Sequence, residues 1–546
     1  MSKKTHPVAA VVVAMLAAPA VVHAQDLPWR AVIGASSAIT APGLPVASRS
    51  FTDFAISDAG KGFVGVRMTS PDTAEGYWAQ RQGAWTQYAR NGVTGATMGP
   101  GRTGAEAGHV FQLHSTDQGY AGIDGQRAFA ARAGAPGDTI NATWGVWRWD
   151  TTKNVEIARA LTDGPLGPNL GADWVFQNSS DFVTPRAMNG GQVLLNTDVT
   201  SPTGLDRRYL AKSVPGQGIV PCALRYSTDP NLAPGIAAGD SFDTGWGVAS
   251  NLSVTPDNRV YLVAATNQGR DGIWEVCDGA PRARVVDNEA GARGPDIGIA
   301  TAVFSDFDVV HPADGNQFYY FARYRPAPSD SSRTGLFWHD GATNRPLAMN
   351  DAANVYGPGW QDATWSTFGT SSLTSAGEWT AFQAMIHVPA DGATPDGLWR
   401  VQAGGTPELV ALLDIAGSYG PEPGRTWDSF YGNAVLANGD IVIEARTQPG
   451  SEYALWLLRK VAAPRRILAV GQSVSVPTSS GVQPAAVTSY EIPGGASPYS
   501  RGPDGWIASD SSMLVSVNLN GYSGRVLISA MSGNPLEGIF ANGFDR

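Results

Sequence analysis

Cysteine is nearly absent: Cys222 and Cys277 are the only two in 546 residues. That excludes a small disulfide-dense scaffold. Zinc in a thiolate site is excluded too, because neither cysteine has a second Cys or His at ligand spacing. Lysine is almost as scarce, with six residues, and the formal net charge is −10. An acidic chain so poor in lysine has no electrostatic footprint for nucleic acid or an anionic membrane surface. Beyond residue 24 no run approaches the roughly 18 apolar residues of a membrane span, and helical periodicity of useful length is missing. What the chain has instead is 65 glycines, 17 Trp, 16 Tyr and 18 Phe within a 43% hydrophobic composition. That mixture predicts a packed protein of short strands and tight turns.

The N-terminus has the form of an export signal. Lys3, Lys4 and His6 precede an apolar Val8-to-Val22 stretch, and Val22-His23-Ala24 supplies a small residue for cleavage. The expected organisation is a signal peptide over 1–24, one folded domain over 25–531 and a tail over 532–546. The alternative for the first segment is an uncleaved anchor, but the stretch is short and lacks a basic stop-transfer flank. An exported location, periplasmic or extracellular, favours a Cys222–Cys277 disulfide; two buried free thiols are the alternative.

An internal repeat organises the rest. A polar turn followed by an alternating strand recurs at Ile56-SDAGKGFVGVRM, Leu113-HSTDQGYAGI, Ala187-MNGGQVLLNTDV, Ser253-VTPDNRVYLVAA, Val309-VHPADGNQFYYFA, Leu373-TSAGEWTAFQAM, Val435-LANGDIVIEA and Ile507-ASDSSMLVSVNL. The mean spacing is about 64 residues. A second strand signal follows each copy, as in Gly145-Val-Trp, Gly272-Ile-Trp and Gly397-Leu-Trp. A third is an apolar strand running into a glycine-rich connector, as in Leu347-AMNDAANVYGPG. Four short strands per unit predict a propeller blade. The eighth unit runs out of chain after Arg525-VLISA, and Trp29-RAVIG has the pattern of its missing fourth strand. The expectation is therefore an all-β, eight-bladed β-propeller closed by an N-terminal strand, with seven blades as the alternative.

On this repeat the chain resembles secreted bacterial β-propellers. The ending Ile539-Phe-Ala-Asn-Gly-Phe-Asp is similar to the F-x-x-G-F-[DE] tail of many exported gammaproteobacterial proteins. Neither resemblance implies catalytic residues. Absence of a Cys-Cys pair and of C-x-x-C-H separates the chain from quinoprotein propellers.

Motif matches of low specificity fall away on context. Gly99-Pro-Gly-Arg-Thr-Gly104 fits G-x-G-x-x-G but lies in a connector, not between strand and helix. Gly239-Asp-Ser resembles an esterase start without the following helix or Asp-x-x-His. No G-x-S-x-G elbow and no complete EF-hand occur. A recurrence of aromatic, two small polar residues and aromatic carries more. It reads Phe51-Thr-Asp-Phe54, Ser179-Ser-Asp-Phe182, Phe304-Ser-Asp-Phe307, Trp365-Ser-Thr-Phe368 and Trp427-Asp-Ser-Phe430. At the start of innermost strands it would bring Asp53, Asp181, Asp306 and Asp428 to a central channel as binding residues. Its structural reading is aromatics packed between blades, with the polar residues bonded to nearby backbone. His109 and His311, with Asp306, are the catalytic candidates, because a histidine beside a carboxylate can move a proton next to a uronic acid carboxyl. Among the tryptophans, Trp85, Trp144 and Trp360 lie off the Gly-x-Trp register and are the candidates for exposed sugar stacking.

No constellation reaches a nucleophile with an oriented base. The leading expectation is thus a binding or scaffold propeller whose ligand is carbohydrate or another exported protein. It requires no cofactor or metal, spans no membrane, contacts no nucleic acid and is a monomer. The alternative is an extracellular polysaccharide-degrading enzyme, a lyase or glycoside hydrolase, with its site in the channel.

Overall fold

Alternating β-branched and aromatic residues between glycine turns leave the chain little choice but sheet, and the computed structural model is all-β, with no helix of seven residues or more among the described residues. These are residues 29–56, 64–70, 75–81, 84–112, 119–121, 127–138, 140–179, 184–243, 252–255, 257–308, 310–350, 352, 355–491, 507 and 513–530. Among them, no helix is long and apolar enough to cross a membrane.

Among the described residues the strands pair into eight sheets, strand following strand in chain order apart from Arg30–Gly34, which makes the arrangement propeller-like. The sixth sheet is typical: Thr364–Ala376, Trp379–His387, Asp396–Gln402 and Glu408–Leu412. The seventh is Thr426–Val435, Ile441–Gln448, Glu452–Leu458 and Arg465–Ala469. In the fifth, the first strand is split into Val303–Phe307 and His311–Pro312, both paired with Phe318–Arg325. First strands of successive sheets approach one another, as Thr364–Ala376 and Thr426–Val435 do, so the sheets converge on their first strands.

The expected pairing of the N-terminal segment is present. Arg30–Gly34 runs antiparallel to Arg525–Ala530, with Arg30 opposite Ser529 and Gly34 opposite Val526. The last sheet contains more than was expected. Ser473–Thr478, beyond the four strands expected per unit, is a strand paired with Gly481–Glu491, and Arg30 also meets Ser475, so this sheet curls into a small closed barrel. One repeat register needs correction as well. Gly119–Ala121 lies on the first-strand side of the second sheet, because it pairs, as Val110–Gln112 does, with Arg127–Gly134.

Eight apolar cores fill the spaces between successive sheets. Leu398 of the sixth sheet packs with Trp427 and Trp456 of the seventh. Val32 and Leu527 of the last sheet pack with Phe51 and Trp78 of the first. A sheet with a neighbour on both sides is buried on both faces, which is why Phe318–Arg325 reads FYYFARYR rather than alternating strictly.

Two recurring devices set these cores. In Gly145-x-Trp147, Gly272-x-Trp274 and Gly397-x-Trp399 the indole folds back over the glycine two residues before it. A Cβ on those glycines would stand 2.7, 2.8 and 2.5 Å from the ring, so only glycine fits. Each indole N–H then donates to the carbonyl of the connector proline entering its own sheet: Pro100 at 3.0 Å, Pro234 at 3.1 Å and Pro358 at 2.9 Å. The second device stitches sheet to sheet. Backbone N–H groups of Leu161, Tyr226, Asn288 and Asp414 donate to Phe176, Phe242, Phe304 and Trp427 at the start of the next sheet, each at 2.9 Å. All four donors hold positive φ, between 51° and 59°. The rejected Gly239-Asp-Ser match is simply the approach to Phe242.

Cys222 and Cys277 form a disulfide, with Cα atoms 4.3 Å apart. It joins the outer strand of the third sheet, Gly218–Leu224, to the end of Asp271–Val276 in the fourth.

Candidate functional site

The aromatic–polar–polar–aromatic recurrence is a β-bulge. Without a bulge, residues three apart on a strand face opposite sides. Here Ser305, Ser366 and Asp428 are each an extra residue in the ladder, so both flanking aromatics turn to the same core. Ring centroids are 5.3 Å apart for Phe304–Phe307, 5.2 Å for Trp365–Phe368 and 5.9 Å for Trp427–Phe430. The aromatic half of the motif is therefore packing. The polar half is displaced toward the first-strand surface.

Thr426–Val435 carries a second bulge between Phe430 and Gly432, which turns Tyr431 outward. The two bulges assemble one polar group. Asp428 accepts from Arg446 Nε and Gln448 Nε2. Arg446 lies across the ladder from both Ser429 and Tyr453. Its guanidinium carbon is 5.7 Å from the Tyr453 ring centroid, and its Nη1 is 3.5 Å from the Tyr453 hydroxyl. The Tyr431 and Tyr453 hydroxyls are 3.1 Å apart, and Ser429 Oγ donates to Tyr431 at 3.0 Å. Both tyrosines are about 40% exposed, 39% and 42%. Hydrogen bonds from Ser429 and Tyr453, with Arg446 nearby, pull the Tyr431 hydroxyl below the ordinary tyrosine range, while the bond to Tyr431 pushes Tyr453 above it. The pair is thus polarised, one hydroxyl primed to lose a proton and its neighbour to hold one. Deeper on the same strand face, burial raises Glu444, a shift tempered by the Tyr490 hydroxyl of the last sheet.

The other candidates lie elsewhere. Asp306 is exposed on the fifth sheet, 3.7 Å from Arg323 Nη1, and takes the Phe307 N–H at 3.0 Å. Asp308 is raised by burial and by the negative charge of Asp306, against the Thr370 hydroxyl. His311 is buried and stands across the ladder from Tyr319. His109 precedes the second sheet, with Nδ1 3.2 Å from Arg102 Nη1 in an ion-pair network with Glu156, Arg159 and Glu106. Asp181 and the side chain of Asp53 lie outside the described residues. The structure thus gathers Asp306 with Asp308 and Arg323, and Asp428 with a tyrosine–arginine group, on different sheets.

Sequence reading missed Tyr431, Tyr453, Arg446 and Gln448. The available signal was the tyrosine directly after Trp427-Asp-Ser-Phe430 together with Arg446 on the returning strand, but it needs the second bulge to be seen. Trp85 and Trp144 are corrected: both are buried, at 3% and 8% exposure, because each fills an inter-sheet core. Trp360 is half-buried against the core between the fifth and sixth sheets. Among the described residues no group of three or more His, Cys, Asp or Glu is placed to hold a metal ion.

No family model matches the chain, and no curated protein matches it in sequence. Among solved structures it is similar to an ulvan lyase of polysaccharide lyase family PL25, at 10% identity and TM-score 0.29 over 93% of this chain and 96% of that one. It is also similar to the polysaccharide lyase Uly1, at 13% identity and TM-score 0.29 over 81% and 93%. An exo-β-1,3-galactanase from Clostridium thermocellum shows 10% identity and TM-score 0.21 over 79% and 94%. Likeness at this level transfers no residue and no activity.

Proposed function

We propose that the chain is an exported eight-bladed β-propeller, closed by Arg30–Gly34 after removal of residues 1–24, that cleaves an acidic polysaccharide by β-elimination at the mouth of its channel. The observation that carries this reading is the tyrosine–tyrosine–arginine group on the bulged end of Thr426–Val435. Eight sheets with eight inter-sheet cores, the last returning to the first, support the ring. The tail over 532–546 is assigned no part in the chemistry.

Each group has one role. Arg446, exchanging Asp428 for the substrate, neutralises a uronate carboxylate and acidifies the adjacent C5–H. Tyr431, as phenolate, takes that proton. Tyr453 gives its own proton to the departing O4, the C4–O bond breaks and a C4=C5 double bond forms; a proton passing between the hydroxyls, 3.1 Å apart, restores the pair. This reading replaces the scaffold expectation because two exposed, polarised tyrosines facing an arginine belong to none of the apolar cores between the sheets.

The test is a panel of uronic-acid polysaccharides followed by the ultraviolet absorbance of the unsaturated product. Activity should rise with pH until Tyr431 is ionised, below the pH of an ordinary tyrosine. Tyr431→Phe should lose about 10²–10⁴ in kcat, and Arg446→Lys should raise KM more than it lowers kcat. A second reading, hydrolysis, rests on Asp308, whose carboxyl is raised by burial and by the negative charge of Asp306. Reducing ends without absorbance, abolished by Asp308→Asn, would establish it and overturn elimination.

A further inference from the structure

A groove of about 650 Å³ runs along the outer rim between the sixth and seventh sheets, away from Tyr431 on the first strand and Arg446 on the second. We infer that it is a second ligand site, for a sugar bearing a carboxylate or sulfate. Its volume falls within the roughly 300–1,000 Å³ of small-ligand sites.

The floor is preset. Arg400 is buried, and its guanidinium grips Glu408 through Nε at 2.9 Å and Nη2 at 2.6 Å, with Nη1 on the Gly439 carbonyl at 3.1 Å. That pair is internally neutral. The wall is not. Arg459 spends Nε and Nη2 on a single carbonyl, that of Ala463. The Lys460 ammonium rests 4.2 Å over the Trp379 ring. Neither cation has a carboxylate partner among the described residues, whereas Arg400, Arg425, Arg446 and Arg466 all do. Asp440 takes the Lys460 backbone N–H at 2.8 Å and the Asn438 side-chain amide at 3.0 Å, which pins the loop, and it makes no ion pair with Lys460. Two uncompensated positive charges in a chain of net charge −10 set the sign of the ligand.

The hydroxyl-rich character comes from the other wall. Among the described residues Glu408–Leu412, the outer strand of its sheet, pairs with no strand but Asp396–Gln402; its Leu412 N–H donates to the Tyr419 carbonyl at 3.3 Å, and the rest of its outer edge turns backbone polar groups toward the groove. At five residues, entered from Pro407, it is too short to template an added peptide strand. That the anion is carried by a sugar rests on the polysaccharide reading above; that the ligand is an anion does not.

The experiment separates the two sites. The full chain carrying Arg446→Gln is titrated calorimetrically at low salt with D-glucuronate and D-glucose 6-sulfate, with D-glucose as the neutral sugar and acetate and sulfate as sugarless anions. Saturable binding of either acidic sugar is expected, at least about tenfold tighter than glucose or the matching free anion. Adding Arg459→Gln and Lys460→Gln should weaken it about tenfold without moving the thermal midpoint. Absence of binding, equal binding of acetate or sulfate, binding untouched by the two rim substitutions, or preference for a poly-glutamate peptide would each overturn the proposal. Loss of lyase activity in the unsubstituted protein would bear on Tyr431 and Arg446 alone, because the rim titration needs no turnover.

Discussion

Gly397→Ala isolates the device that fixes the inter-sheet cores. The new methyl group would lie 2.5 Å from Trp399 Cη2, 2.7 Å from Cζ3 and 3.0 Å from the Ala411 carbonyl oxygen. Trp399 is fully buried, so the ring has nowhere to retreat. Overpacking of this kind costs about 1–3 kcal/mol. A ring that tilts away also strains the 2.9 Å bond to Pro358, worth about 1 kcal/mol. Gly397 has no positive φ, so alanine returns about 0.5–1 kcal/mol through reduced backbone entropy. The net expectation is a loss of about 1–3 kcal/mol. Urea unfolding followed by tryptophan fluorescence measures it from the midpoint at unchanged slope. Gly108→Ala is the control: nothing lies within 4 Å of its added Cβ and its φ is not positive, so it should gain about 0.5–1 kcal/mol from backbone entropy and its midpoint should not fall. In a Trp399→Leu background the cost of Gly397→Ala should largely vanish, since the clash has lost its partner. Gly397→Ala unfolding with the Gly108→Ala midpoint, or an equal cost in the Trp399→Leu background, would refute the account.

Two further outcomes follow from single residues. Burial raises the folded Glu444 carboxyl, so the folded chain holds that proton to higher pH than the unfolded chain does; stability is fully present below the ordinary Glu range and declines as pH rises through the raised value. Glu444→Gln should therefore be more stable than the parent at pH 7, with the advantage disappearing toward pH 4, and a pH-independent difference in unfolding midpoint would count against it. Leu161 holds φ 55° at 61% exposure, so Leu161→Gly should gain about 0.5–1 kcal/mol by relieving a left-handed backbone while Leu161→Val should lose stability; the opposite order in urea midpoints would sink the idea.

Much of the fold was legible because the repeat is written in residues with fixed geometric demands. Gly-x-Trp marks the third strand reliably, since the glycine must be bare for the indole to cross it. The N-terminal strand was legible from arithmetic, seven full units and three strands of an eighth. Ser473–Thr478 was not, because its partner Gly481–Glu491 is a local hairpin outside the repeat. The second sheet was misaligned because Gly119–Ala121 has the alternation of a second strand yet pairs, like Val110–Gln112, with Arg127–Gly134.

The site illustrates a limit that periodicity cannot pass. The aromatic pair in Trp427-Asp-Ser-Phe430 is spaced by three, and in a regular strand that spacing would put one ring in solvent. The spacing itself therefore implies a bulge, and with it an outward Asp428. Tyr431 depends on a further bulge for which no second aromatic pair speaks, since the glycine after it carries no side chain to declare a face. The polar group of Asp428, Tyr431, Arg446 and Tyr453 sits where the alternation of the strand fails twice within five residues. A period-two reading assigns such positions to the wrong side of the sheet, and does so most surely where the side chains face outward rather than into a core.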